Sequence, residues 1–105
     1  MCEEAELLSD SVTSILTKVK QIQPADQEAL ALQKAAAKLG FDWYESHKIF
    51  AKIEEELNKL KEAIKDNETS DIEAEFGDLY FILLYLARHL NLDAQKALKK
   101  TNTKF

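Results

Sequence analysis

The chain has 105 residues, 46% of them hydrophobic, with 19 acids against 14 bases and a formal net charge of −5. That length leaves room for one domain, and that apolar fraction excludes a disordered tail. Two glycines, one proline and one cysteine exclude a turn-rich β-sandwich and an internal disulfide framework.

The elements follow in chain order. The first segment carries Leu7, Leu8, Val12, Ile15, Leu16 and Val19 at helical spacing, and Pro24 separates it from the next. A second helix runs through Leu32, Ala36 and Leu39, with Gly40 as its C-terminal cap. Asp42 and Glu45 make a capping-box pattern for a third helix, whose stripe is Ile49, Phe50, Ile53, Leu57, Leu60 and Ile64. A polar run, Lys65 to Thr69, reads as a loop. Ser70 and Glu73 repeat the capping box, and a fourth helix carries Ile72, Phe76, Leu79, Leu83, Leu86 and Leu90. Asn91 suits a left-handed cap, and Asp93 caps a last helix through Ala94, Ala97 and Leu98.

The fold class is therefore all-α, a bundle of about five helices. The fourth helix is apolar on nearly every side from Leu79 to Ala87, so one antiparallel neighbour does not cover it. A dimer that completes the bundle is the expectation, with Tyr80, Phe81 and Tyr85 at helix contacts. A compact monomer with this helix at its centre is the alternative. Leu79–Ala87 is also the longest apolar run, too short to span a membrane. The N-terminal acids Glu3, Glu4, Glu6 and Asp10 fit no secretory leader. With a lone cysteine, a cytoplasmic domain is expected.

Charge is unevenly spread. Between Asp42 and Asp78 lie twelve acids and five lysines, whereas Leu79–Phe105 holds one acid, Asp93, against Arg88, Lys96, Lys99, Lys100 and Lys104. No basic stripe runs over the domain, so nucleic acid is not the expected partner. An acidic middle with a basic end suits a cation bound together with a polyphosphate, although ordinary solvated helix faces give the same count.

Two helices place acids where packing alone does not. Glu75 lies three residues after Ile72 and four before Leu79, on the apolar stripe, and Asp78 lies at its edge. On the preceding helix Glu56 borders the apolar face, Glu55 points further out, and Glu54 belongs to a solvated face. A buried carboxylate must be paired, protonated or bound to a cation. An antiparallel hairpin would bring Glu56, and with it Glu55, towards Glu75 and Asp78. Oxygen ligands alone suit Mg²⁺ or Mn²⁺ better than zinc. His47 and His89 complete no Glu-x-x-His pattern, and no nucleophile motif or phosphate loop is present.

Four strings in register, from about Leu30 onward, resemble the MazG-type nucleotide pyrophosphohydrolases. They are Leu32–Trp43 (LQKAAAKLGFDW), Lys52–Leu57 with Leu60–Ala63, Glu75–Phe81 with Leu86–Leu90, and Ala97–Phe105. The resemblance implies a single domain over 1–105, with residues 1–23 as an N-terminal helical extension and 24–105 as the family core. It implies an all-α, Mg²⁺-dependent homodimer or higher homo-oligomer. The implied reaction splits a nucleoside triphosphate between its α and β phosphates, giving a monophosphate and pyrophosphate. Carried over by position, Glu55, Glu56, Glu75 and Asp78 are the metal-site and catalytic residues. Lys52 and Lys104 match family lysines placed to touch phosphate, and Phe41 and Trp43 are weaker candidates for the base. Lys59 is a phosphate contact in an active enzyme, with Glu62 or water as the replacement ligand. The sequence departs from the family at Lys59, where a third glutamate of the first motif is expected, and at Tyr85, where an asparagine is usual. It also ends at Phe105, just before an arginine-rich tail. A degenerate module that binds nucleotide, or only dimerises, is the alternative that Lys59 opens.

Overall fold

The computed structural model describes residues 24–43 and 45–105, with Ser14, Thr17 and Lys18 ahead of them. The helix expected over Leu7–Val19 falls, apart from those three positions, outside the described residues. Ser14, Thr17 and Lys18 are helical, and from Pro24 onward the described residues form four helices and no strand: α1 (Ala25–Lys38), α2 (Ser46–Asp66), α3 (Thr69–His89) and α4 (Ala94–Lys104). None of them is long and apolar enough to cross a membrane. The chain forms two compact units, Met1–Asp42 and Trp43–Phe105.

In the first unit, α1 starts where Pro24 sits extended and its carbonyl accepts the N–H groups of Gln27 and Glu28 at 3.1 and 3.0 Å. Asp26 and Glu28 in the first turn and Lys38 in the last complement the helix dipole. Gly40 ends the helix with φ 91°. The N–H of Phe41 donates to Ala36 C=O and that of Gly40 to Ala37 C=O, the paired bonds of a glycine-closed C-terminus.

The second unit is built on the antiparallel hairpin of α2 and α3, each 21 residues long. Neither expected capping box forms. α2 begins only at Ser46, with Glu45 before it and no side-chain cap. The reason is tertiary. The Trp43 N–H donates to the Tyr85 hydroxyl at 2.6 Å, so the segment after Asp42 runs extended onto α3 instead of starting a helix. α3 begins at Thr69, which puts Ser70 inside the helix and out of reach of a capping role. The turn is two residues, Asn67 and Glu68, and Asn67 takes the left-handed conformation (φ 57°) that its short amide tolerates.

The packed rows differ in phase from the stripes read in the sequence. On α2 the buried or half-buried positions include Ile49, Ile53, Glu56, Leu60 and Ala63, spaced four and three, with Lys52 half-buried beside them. On α3 they include Ile72, Glu75, Leu79, Ile82, Leu86 and His89, spaced three and four. Both are the two-row seam of a helix pair. Phe50, Leu57 and Ile64 on α2, and Phe76, Leu83 and Leu90 on α3, form a second row on each helix and stay exposed. The core of the hairpin is Ile49, Ile82 and Tyr85, with Trp43, Ile53 and Leu86 packed on it. At the open end Ser46 Oγ and His89 Nε2 lie 3.1 Å apart, tying the start of α2 to the end of α3. Asn91, at φ 57°, closes α3. The Asp93 carboxylate then caps α4 by accepting the Lys96 N–H at 3.1 Å.

Candidate metal centre

The seam brings one acid of α2 against two of α3. Glu56, Glu75 and Asp78 each offer a carboxylate oxygen, and these oxygens lie within 4.8 Å of one another. Glu56 is 3% exposed, Glu75 is half-buried and Asp78 is exposed at the rim. Glu56 Oε2 and Glu75 Oε2 are buried with no hydrogen-bond partner. Two orphaned anionic oxygens facing a shared space are costly unless a cation completes them. Three oxygen donors and no nitrogen or sulfur fit a hard divalent ion such as Mg²⁺.

The opposite edge of Glu56 carries positive charge. Glu56 Oε1 meets Lys52 Nζ at 3.1 Å and Lys59 Nζ at 3.3 Å. The same lysines reach Glu55, at 3.3 and 3.6 Å. Burial pushes the Glu56 carboxyl up, but the hydrogen bonds and charges of Lys52 and Lys59 outweigh it and hold the pKa below the ordinary range. In return, the bond to Glu56 raises the pKa of Lys52 and of Lys59. Glu55 is half exposed and stands outside the converging group. It lines an open groove of about 590 Å³ next to it, with Asn58, Lys59, Glu62, Ala63, Asp66, Asp71 and Glu75.

Of the remaining expected residues, Lys104 is exposed in the last turn of α4, and no ion pair joins it to the four carboxylates. Trp43 stacks edge-on against Tyr85 with ring centroids 5.0 Å apart, a packing position. Phe41 follows α1, half-buried. Tyr85, the second departure from the family pattern, is 6% exposed in the hairpin core, with the Arg88 guanidinium 4.6 Å from its ring centroid. Asp66 and Asp71 were not singled out from the sequence. Their signal is the continuation of the groove-lining rows, at 55, 59, 62 and 66 on α2 and at 71 and 75 on α3.

Residues 44–105 match the profile of the MazG nucleotide pyrophosphohydrolase domain. The chain belongs to the MazG family. A nucleoside triphosphate pyrophosphohydrolase/pyrophosphatase MazG of Thermotoga maritima is 40% identical over 93 residues, which is 89% of this chain and 35% of that protein. The nucleoside triphosphate pyrophosphohydrolase of Escherichia coli K12 is 36% identical over 96 residues, 88% of this chain and 36% of that protein. The chain thus spans about a third of the length of these relatives. Within the MazG-matched stretch fall all four carboxylates and Lys52, Lys59 and Lys104, whereas Phe41 and Trp43 precede it.

Proposed function

We propose that this MazG domain is a divalent-cation-dependent nucleoside triphosphate pyrophosphohydrolase, turning a nucleoside triphosphate and water into a monophosphate and pyrophosphate. The observation that carries the reading is the convergence of Glu56, Glu75 and Asp78, with one buried oxygen each of Glu56 and Glu75 left unbonded. In this reading those three carboxylates, with Glu55 at the rim, hold Mg²⁺ or Mn²⁺. The bound ion supplies neutralisation of phosphate charge and a water of lowered pKa. Lys52 and Lys59 hold the orientation of Glu55 and Glu56 and keep Glu56 ionised, and with Lys104 they are the cations available to phosphate. A role in cleansing the nucleotide pool, in the cytoplasm, goes with this chemistry. So does a single family domain with residues 24–105 as its core.

The same proposal includes a homodimer or higher homo-oligomer. Its support is the second apolar row of α3, where Phe76 is 59%, Leu83 46% and Leu90 49% exposed. Contiguous apolar surface of that kind marks an interface.

Pyrophosphate release from a panel of NTPs and dNTPs, with and without Mg²⁺, tests the activity. Metal-dependent release is expected, and Glu75→Gln or Asp78→Asn should reduce it to background. No release by the unaltered chain with any nucleotide overturns the reading. One observation favours a second reading, a module that binds nucleotide without turnover. Lys59 already neutralises Glu55 and Glu56, and under that reading Lys59→Glu creates activity that the natural chain lacks.

A further inference from the structure

Glu56 Oε1 holds more positive charge than its burial requires. Lys52 alone, at 3.1 Å, satisfies that oxygen, yet Lys59 adds a second ammonium at 3.3 Å. The two lysines are not equivalent. Lys59 lines the same groove as Glu75, whereas Lys52 does not. Lys59 is also the more exposed, 48% against 31%, so its ammonium can leave without being buried elsewhere. A divalent ion entering among Glu56, Glu75 and Asp78 meets this ammonium across one carboxylate and competes for the same negative charge.

We propose that Lys59 is a tethered counter-ion of the carboxylate centre, paired with Glu55 and Glu56 in the metal-free chain and displaced when a divalent cation binds. The inference rests on the reading of Glu56, Glu75 and Asp78 as a cation site. The tether lowers the affinity for the free ion, because Lys59 and the ion compete for the charge of the same Glu56 carboxylate. It also releases an ammonium beside the ion, where a polyphosphate would bring its charge.

Calorimetric titration of the full chain with Mn²⁺ alone tests this without reference to turnover. Lys59→Gln should bind Mn²⁺ about tenfold more tightly than the natural chain, the order of one charge-assisted bond. Lys61→Gln, which removes a charge outside the groove, should stay within about twofold. Glu75→Gln should lose binding. Unchanged or weaker affinity in Lys59→Gln, with binding still lost in Glu75→Gln, overturns the role of Lys59 and leaves the cation site standing. Binding that survives Glu75→Gln, or absent from both the natural chain and Lys59→Gln, overturns the cation site and this inference with it. Should Lys59→Gln fail to fold, the lysine ammonium resonances of the natural chain decide. Saturating Mg²⁺ should shift the Lys59 Nζ signal from its ion-paired position, and a signal that stays there overturns the proposal.

Discussion

Glu56 is where the stability of the fold and the proposed cation chemistry share one side chain. Its folded pKa lies below the ordinary 4.5 because Lys52 and Lys59 outweigh the effect of burial. A depressed carboxyl pKa means that the native state holds fewer protons than the unfolded chain in acid. The stabilisation from Glu56 is therefore complete above pH 4.5 and is lost as the pH falls through the lowered value. Denaturant melts of the metal-free chain between neutrality and strong acid should show stability dropping below that point, and Glu56→Gln should flatten the drop. An equally steep acid limb in the variant would assign it to other carboxylates. At the alkaline end both lysines titrate above their usual 10.5, so their pairs survive across the neutral range and dissolve only beyond it. Helical arithmetic placed Glu75 on the buried side, Asp78 at the edge and Glu55 further out than Glu56. The family resemblance, not the spacing, marks Lys59 as a lost metal ligand or a phosphate contact. A pairing that depends on which way a long, half-exposed side chain bends has no signature in spacing alone.

At the scale of the elements, the two long helices were legible from periodicity, but the phase of their packing was not. Leu79–Ala87 offers an apolar residue at every position, so several faces satisfy the 3.6-residue period equally. The sequence stripe on α3 joins Phe76, Leu83 and Leu90 to Ile72, Leu79 and Leu86; the structure separates them into an exposed row and a half-buried one. Ile49 tests this assignment from the α2 side. It is fully buried in the core cluster, so Ile49→Ala should cost about 3 kcal/mol in denaturant melts. Phe50→Ala, next in sequence but 50% exposed, should cost much less in the isolated chain. Equal losses would mean that the seam runs elsewhere. Tyr85→Phe probes the contact that displaced the first capping box. Removing the hydroxyl that accepts the Trp43 N–H should cost about 1 kcal/mol and leave helix content intact.

For the molecule as a whole, the exposed rows are the feature that the domain's own fold does not use. Aromatic anchors dominate interfaces of this kind, and losing one weakens association by about 2 kcal/mol or more. Phe76→Asp should therefore shift the natural assembly towards monomer in light scattering after size exclusion, while circular dichroism keeps its helical signal. A natural chain that is monomeric at all concentrations would remove the oligomer from the proposal. Cation removal is a separate matter, because Lys52 and Lys59 offset much of the acidic charge without it. Chelation should lower the melting temperature only by the linkage due to bound ion, with no collapse of the helices.

The two-residue turn at Asn67 and Glu68 also bears on the order in which the centre is made. Lys52 through Asp78 is one uninterrupted stretch of chain, so the carboxylates and their own ammonium groups leave the ribosome together. A single local hairpin closure brings them into register, the kind of short-range event that folds early. Lys104 comes later in the chain, after the groove and its charges can already be in place. The carboxylate centre thus forms within one hairpin, with Lys52 and Lys59 already paired to Glu55 and Glu56 before α4 follows.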